Sequence, residues 1–212
     1  MKKVTFYLVR HGETLFNTQN KMQGWCDSPL TEKGIRDAYT AKDILKEAPL
    51  NRAFTSTSER CRDTADIILE GRNIPRSEMK GLKEINFGIY EGADNEAHKE
   101  EFDHRRKTFN WKDVGGDDYA SFEKRIKETY AKIFDECRDG DTVLIVSHGG
   151  AFIWMLSMLF NISKEKLLGL RIKKGLSPMP NGYVGRCTCV DGTFHFDQMI
   201  GLSAEDLDAC LE

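Results

Sequence analysis

The sequence predicts an α/β protein with a mostly parallel sheet and helices on both of its faces. Strand-like and helix-like stretches alternate along the 212 residues, which is typical of parallel strands joined by crossover helices. Two predicted strands, 3–10 and 142–147, are rich in apolar and β-favouring residues, and each is followed by histidine and glycine. Such strands are buried on both faces of a sheet. We therefore expect a three-layer α/β/α arrangement, with residues 1–212 forming a single domain.

The first half of the chain supplies further elements of this sheet. Apolar spacing predicts a helix over 31–48, and residues 52–56 predict a short buried strand. Ser56 and Glu59 have the spacing of a capping box, so we expect a helix to begin there and to end at Gly71. The predicted buried stripe of the 31–48 helix consists of Ile35, Ala38, Ala41, Ile44, Leu45 and Ala48.

The second half continues the alternation. Apolar spacing over 122–137 predicts an amphipathic helix, and 151–160 predicts a buried helix that is too short to span a bilayer. Asp191-Gly192 separates the strand-like stretches 185–190 and 193–199, which indicates a hairpin. Residues 78–91 are expected to be irregular or partly extended.

Composition limits the partners and the location of the protein. The formal net charge of −3 provides no field that would attract nucleic acid or an anionic membrane, so neither is expected as a partner. Met1 leads directly into the first strand and leaves no room for a signal peptide. We expect a cytoplasmic protein with reduced cysteines, and the sequence leaves both a monomer and a homodimer open.

Charged side chains stand at three predicted strand ends: Arg10-His11, the turn from Ser56 to Arg60, and His148. The carboxyl ends of parallel strands form the usual ligand site of an open α/β sheet. Arginine offers two parallel hydrogen bonds to phosphate. Gly12 permits a close approach of the backbone to a ligand, and a helix after it would direct its N–H groups there. The pattern indicates an anion site, most naturally for a phosphoryl group.

A histidine in such a site can act as a nucleophile if it is neutral. Arg10 and Arg60 would disfavour protonation of His11 and lower its pKa. Attack by His11 would divide phosphoryl transfer into two steps through a phosphohistidine. The arginines and His148 would stabilise the charge on the phosphoryl oxygens, and no metal is required. Glu84 is the candidate general acid and base, and Glu91 is the alternative.

At these residues the chain resembles the histidine phosphatase superfamily, the phosphoglycerate-mutase-like group. Five stretches carry the resemblance, in order and at family-like spacing: 8–14 (Leu-Val-Arg-His-Gly-Glu-Thr) with Asn17, then 24–34, 55–65, 82–92 and 146–150. The resemblance implies a mostly parallel sheet with one antiparallel strand. It also implies that His11 is phosphorylated and that Glu84 is the acid and base. Phosphate would be held by Arg10, Arg60, His148 and Asn17.

Further substrate contacts are expected in or beside these stretches, at Gln23, Gly24 and Gly149. Asn17 has an alternative role as a turn or cap residue. The pair Arg105 and Arg106 could contact a carboxylate or a second phosphate of the substrate. The alternative for this pair is a solvated helix face.

Members of the family are either phosphatases or mutases, and they differ in what covers the phosphohistidine. Here the segment from Glu84 to His148 is short, and its polar part, 92–118, would cover the active site. In mutases an arginine follows the acid and a tyrosine lies two positions further on, whereas this chain has Ile85 and Phe87. We therefore predict a phosphatase that acts on a small phosphorylated metabolite without a cofactor.

Three alternatives stay open. Arg105-Arg106 partly resembles an arginine pair of the mutases, and a mutase would require 2,3-bisphosphoglycerate as cofactor. A catalytically weak protein that binds a phosphorylated ligand is another hypothesis, because a fold does not determine function. The complete set of expected catalytic residues argues against it. A metal-dependent hydrolase is disfavoured because no carboxylate cluster accompanies the histidines.

Overall fold

The computed structural model describes residues 1–177, 179–199 and 201–211. Within these ranges, one sheet contains six strands. They are β1 (Lys3–Arg10), β2 (Arg52–Ser56), β3 (Arg76–Met79), β4 (Thr142–Ser147), β5 (Val184–Val190) and β6 (Thr193–Met199). The helices described are α1 (Leu15–Thr18), α2 (Glu32–Ile44), α3 (Glu59–Leu69), α4 (Lys99–Thr108), α5 (Tyr119–Glu136), α6 (Gly149–Phe160), α7 (Lys164–Lys173) and α8 (Ala204–Asp208).

The strand order across the sheet is β3-β2-β4-β1-β5-β6. The first four of these strands are parallel to one another, and β5 runs antiparallel to both β1 and β6. The prediction of a mostly parallel sheet with one antiparallel strand is therefore confirmed. The predicted hairpin is also present, because β5 and β6 are joined by Asp191-Gly192.

Helices cover both faces of the sheet because side chains alternate along each buried strand. In β4, Val143 and Ile145 belong to one apolar cluster, together with side chains of α5 and α6. Leu144 and Val146 belong to the other cluster, together with side chains of α2 and α3. The predicted α/β/α layering is confirmed. Among the described residues, no helix is both long and apolar enough to cross a membrane.

The buried face of α2 differs from the prediction. The helix ends at Ile44, and Ile35 and Ile44 are 41% and 50% exposed. The buried face instead consists of Gly34, Ala38, Ala41 and Leu45. These small residues allow the helix to lie close to the β1–α1 loop, and a Cβ atom at Gly34 would overlap the carbonyl oxygen of Glu13.

The predicted capping box at Ser56 and Glu59 is wrong. Ser58 precedes α3 as its N-cap, and its side chain makes no capping hydrogen bond. Ser56 remains in β2, where it is paired with Met79 of β3. Its hydroxyl accepts a hydrogen bond from the amide of Ser58 at 3.3 Å. Strand pairing therefore overrides the local capping signal at this position.

The helix expected directly after Gly12 is also displaced. Residues 11–14 are not helical, and α1, which begins at Leu15, is only four residues long. Further, the irregular stretch 78–91 includes the end of β3, and the polar stretch 92–118 contains α4. Phe102, Phe109 and Trp111 of that stretch are buried. The polar composition of this segment therefore did not predict that its aromatic side chains pack into the core.

Gly34→Ala is expected to destabilise the protein by about 1–3 kcal/mol, because the added methyl group must displace backbone at Glu13. Gly169→Ala in α7 is the matched control, since a Cβ atom there meets nothing within 4 Å. The control should be neutral or stabilising by roughly 0.5–1 kcal/mol, because alanine favours helix. Urea unfolding midpoints measure both effects, and equal midpoints would contradict the close approach.

Candidate active site

Sheet pairing brings the three sequence-predicted positions together. Arg10 of β1 is in register with Ser147 of β4, so His11 and His148 follow side by side. Their ring centroids are 5.3 Å apart. On the other side of β4 lies β2, after which α3 begins. Arg60 in its first turn has Nη2 2.9 Å from Nδ1 of His148. The register of β1, β4 and β2 thus assembles the site.

His11 is held as a neutral imidazole. It is 4% exposed, and its Nδ1 lies 2.8 Å from the carbonyl oxygen of Gly12. Because a carbonyl only accepts, Nδ1 carries the proton and Nε2 keeps a lone pair. Burial lowers the pKa of His11 well below its ordinary value, and the positive charges of Arg60 and Arg10 lower it further.

His148 is neutral for similar reasons but has the opposite tautomer. Arg60 can only donate, so Nδ1 of His148 accepts its hydrogen bond. Nε2 therefore carries the proton and donates it to the hydroxyl of Ser56 at 2.9 Å. Burial lowers the pKa of His148 well below its ordinary value, and the charge of Arg60 adds to this effect.

The guanidinium of Arg60 is fully buried and is almost completely hydrogen bonded. Nη1 donates to the carbonyl of Cys26 at 2.9 Å and to Oδ1 of Asp27 at 2.8 Å. Nη2 donates to the carbonyl of Gly24 at 2.8 Å, in addition to His148. The residues 24–27 and the ring of His148 therefore fix the position of this cation.

Two buried donors at the site lack a partner. Among the described residues, three side-chain N or O atoms are buried without a hydrogen bond, and two of them are Nε of Arg10 and Nε of Arg60. An unsatisfied buried donor costs about 1–3 kcal/mol. Arg10 otherwise donates through Nη1 to the carbonyl of Met179. The two guanidinium groups thus each keep one unpaired, buried N–H.

Glu84 is buried, and its carboxylate is directed by two backbone amides. Those of Ile85 and Gly150 donate to it at 2.9 and 2.8 Å. Burial raises the pKa of Glu84 above its ordinary value, against the opposing effect of these hydrogen bonds and the nearby arginines. A raised pKa suits a carboxyl group that must first donate a proton and then accept one.

Glu91, the alternative acid, has a different arrangement. Its carboxylate accepts hydrogen bonds from the amides of Gly24, Trp25, Cys26 and Phe87, at 3.1, 2.8, 2.9 and 3.0 Å. These donors fasten the loop whose carbonyls bind Arg60. The side chain is therefore occupied in holding backbone, and Glu84 is the better candidate for the acid.

The expected phosphate ligand Asn17 lies in α1 and completes the capping box whose N-cap is Thr14. Its Oδ1 accepts from the amide of Thr14 at 3.1 Å and from Nδ2 of Asn181 at 3.2 Å. Gln23 is similarly tied, because it accepts from the hydroxyl of Thr14 at 2.7 Å and donates to Ser28 at 2.9 Å. Asn17 lies in α1 and Gln23 in the loop after it, and the side-chain oxygens of both accept hydrogen bonds from neighbouring residues.

Gly149 and the pair Arg105 and Arg106 occupy different surroundings. Gly149 begins α6 and borders the guanidinium of Arg10, since a Cβ atom there would lie 3.0 Å from Nε. Arg105 makes two hydrogen bonds to Asp113, at 2.7 and 3.0 Å, and one to Glu101 at 3.0 Å. Arg106 donates to Asn95 at 2.6 Å and lines a cleft next to the site.

Comparison with known proteins identifies the family. A family model described as "Histidine phosphatase superfamily (branch 1)" matches residues 6–177. The chain belongs to the histidine phosphatase superfamily. The five sequence stretches that carry the resemblance all lie within the matched range. The structure brings Arg10, His11, Arg60 and His148 of these stretches together at one end of the sheet.

Its relatives include both kinds of enzyme found in the family. The adenosylcobalamin/alpha-ribazole phosphatase of Salmonella typhimurium strain LT2 is 32% identical over 174 residues, covering 80% of this chain and 86% of that protein. A 2,3-bisphosphoglycerate-dependent phosphoglycerate mutase of Gloeobacter violaceus is 29% identical over 175 residues, covering 78% and 80%. The solved structure of YhfR from Bacillus stearothermophilus is 32% identical, with a TM-score of 0.75 and coverage of 96% and 99%.

Sequence reasoning missed three residues that support the site of this superfamily member. Asp27 pairs with Arg60, and Arg125 of α5 donates to the carbonyl of Glu84 at 3.1 Å. Asn181 donates to the carbonyl of His11 at 3.1 Å. Asp27 lies within a matching stretch, but only the folded chain shows its partner. The other two come from segments with no motif.

The neutral histidines should make stability depend on pH. Because the folded-state pKa of His11 is lowered, the unfolded chain binds a proton below about pH 6.5 that the folded chain does not. Stability is therefore fully present above that pH and is lost as pH falls, by up to about 1.4 kcal/mol per unit for this group. His11→Asn should reduce the slope of the unfolding free energy against pH by that amount, relative to the wild type, in urea titrations. Equal slopes would show that His11 is not held neutral.

Glu91→Gln is expected to cost about 1–3 kcal/mol of stability, because an amide provides one acceptor oxygen where the carboxylate has two. Glu100→Gln on α4, which is exposed, serves as the matched control. Thermal or urea unfolding measures the difference between the two variants. If both unfold at the wild-type midpoint, Glu91 does not hold the loop.

Proposed function

We propose that this protein is a phosphatase that hydrolyses a small phosphomonoester through a phosphohistidine on His11. The observation that carries the proposal is the environment of His11. Its Nδ1 proton is bound to the carbonyl of Gly12, so the lone pair of Nε2 is available. Arg10 and Arg60 stand beside it, each with a buried Nε that has no partner. A neutral nucleophile beside two guanidinium groups, each with one unpaired N–H, suits a phosphoryl dianion.

In the first step, Nε2 of His11 attacks phosphorus and forms the P–N bond. The bond from phosphorus to the ester oxygen breaks, and that oxygen takes the proton of Glu84 as the alcohol leaves. The imidazole now carries a positive charge, which the hydrogen bond from Nδ1 to Gly12 stabilises. The arginines neutralise the charge on the transferred phosphoryl oxygens.

In the second step, the carboxylate of Glu84 takes a proton from water while the water oxygen attacks phosphorus. The P–N bond breaks, its electron pair returns to Nε2, and inorganic phosphate leaves with His11 neutral again. His148 and Asn17 are proposed as further phosphate contacts. Nε2 of His148 donates to Ser56, so that hydrogen bond must exchange when phosphate binds. Asn17 accepts from Asn181 through Oδ1 and would donate to phosphate through Nδ2.

Two observations support hydrolysis over mutase activity. Ile85 and Phe87, which follow the acid, are buried and apolar, so they offer no group to a phosphoglycerate. Arg105 is committed to Asp113 and Glu101. The phosphatase from Salmonella typhimurium is among the similar proteins, but mutases match at comparable identity. Mutase activity with 2,3-bisphosphoglycerate is the second candidate, favoured by Arg106 at the adjacent cleft.

The phosphohistidine mechanism can be tested with p-nitrophenyl phosphate, whose leaving group needs little protonation. Glu84→Gln should give a burst of p-nitrophenol equal to the enzyme concentration, followed by turnover reduced by about 10²–10⁴-fold, because water is no longer activated. His11→Ala should give neither burst nor turnover. His104→Ala, which removes an exposed histidine, should behave as the wild type. Rapid quenching at alkaline pH and mass spectrometry should locate one phosphoryl group on His11.

Other outcomes would separate the alternatives. Conversion of 3- to 2-phosphoglycerate that depends on 2,3-bisphosphoglycerate, without net hydrolysis, would establish the mutase. Tight phosphate binding without turnover of any ester would establish a binding protein. We also propose that neither a metal nor an organic cofactor takes part, and activity should therefore be unchanged in chelator.

A further inference from the structure

A cleft next to the phosphate site has a lining unlike that of the site itself. Its volume is about 310 Å³. Most of its lining is aromatic or aliphatic, and the residues that define its walls are Ile85, Phe87, Phe109, Trp111, Trp154 and Leu168. They come from the segment after Glu84, from the 92–118 segment, and from α6 and α7. No part of the mechanism described above uses this cleft.

Through Gly150, the cleft adjoins the carboxyl group that is proposed to protonate the leaving oxygen. Gly150 and Ile153 line it, and the same two residues line the neighbouring depression that Arg10 and Gly149 border. The amide of Gly150 donates to Oε2 of Glu84 at 2.8 Å. A phosphoryl group at Arg10 would therefore have its ester oxygen near Glu84 and the remainder of the substrate directed into the cleft.

The aromatic walls are built and packed in the structure. The ring centroids of Phe87 and Trp111 are 4.8 Å apart, and those of Phe109 and Trp154 are 4.5 Å apart. Such contacts hold the rings in place, so the cleft requires little rearrangement to accept a ligand.

The two cations at the cleft already have partners. Arg106 donates to Asn95 at 2.6 Å. Nζ of Lys164 lies 3.7 Å from the centroid of the Trp154 ring and 3.2 Å from the carboxylate of Glu165. The surface that the cleft offers to a ligand is therefore mainly apolar.

We infer that this cleft binds the leaving group, and that the substrate is a phosphomonoester of an alcohol with an aromatic or similarly bulky apolar body. The inference rests on the proposed phosphatase function. A dry cavity of roughly 150 Å³ holds a benzene-sized ring, so the volume of about 310 Å³ has room for two fused rings. A three-carbon polar alcohol would leave these walls in water and gain nothing from them.

The test compares two esters whose leaving alcohols have similar acidity, 2-(2-naphthyl)ethyl phosphate and ethyl phosphate. We expect kcat/KM to be at least about tenfold higher for the naphthyl ester, because the naphthyl group is removed from water in the cleft. Leu168→Trp fills the cleft, and kcat/KM of this variant should be about equal for the two esters. Ile172→Trp is the matched control on the same helix, since Ile172 is 64% exposed and does not line the cleft; it should keep the wild-type ratio.

The outcomes distinguish the two proposals. If neither ester is hydrolysed and no phosphoenzyme forms, the phosphatase function itself is wrong. If both esters are hydrolysed with equal kcat/KM, the phosphatase stands and the cleft inference fails. The inference also fails if folded Leu168→Trp, verified by its unfolding midpoint, retains the wild-type ratio. Should that variant not fold, Ile153→Asn makes the cleft wall polar and should lower the same ratio of kcat/KM values. Met158→Asn on α6 is its control, because Met158 does not line the cleft.

Discussion

The buried guanidinium of Arg60 is the constraint around which the site is organised. A charge out of water is tolerated only when it is closely hydrogen bonded. Arg60 meets this condition through Asp27, two backbone carbonyls of the 24–27 loop and the ring of His148. That loop has no regular secondary structure. The carboxylate of Glu91 holds it in place by accepting hydrogen bonds from three of its backbone amides. One cation thus joins α3, an irregular loop and the end of β4.

The same constraint keeps the imidazole of His11 neutral. Protonation of a buried imidazole beside two guanidinium groups is unfavourable, so the ring stays neutral where an exposed histidine would begin to charge. The bond from Nδ1 to Gly12 then fixes which nitrogen is available. Burial has the opposite effect on Glu84: it raises the pKa of the carboxyl group, which therefore keeps its proton more readily. Burial thus lowers the pKa of His11 and raises that of Glu84, which fits the proposed roles of the two residues as nucleophile and acid.

The parts of the fold that the sequence predicted correctly depend on local patterns. Two apolar stretches, each followed by His-Gly, predicted β1 and β4. The parallel register of these strands places His11 beside His148. The errors arose where a distant partner decides the outcome. Ser56 has a capping-box spacing but stays in β2 through pairing with β3. The choice of Glu84 over Glu91 came from the family resemblance, and the amides that surround Glu91 support it. The pairing of Arg105 with Asp113 likewise could not be inferred from the spacing.

The two glycines after His148 connect the chemistry to the choice of substrate. Neither has the positive φ that would require glycine for backbone reasons, so their small size must explain them. A Cβ atom at Gly149 would lie 3.0 Å from Nε of Arg10, and one at Gly150 would lie 2.8 Å from Oε1 of Glu84. The absence of side chains lets Arg10 and Glu84 approach the first turn of α6 from two sides. Because Gly150 also lines the apolar cleft, a larger residue there would disturb Glu84 and narrow the path of the leaving group together. In the proposed reaction, proton transfer and selection of the leaving group would therefore be coupled through one turn of helix.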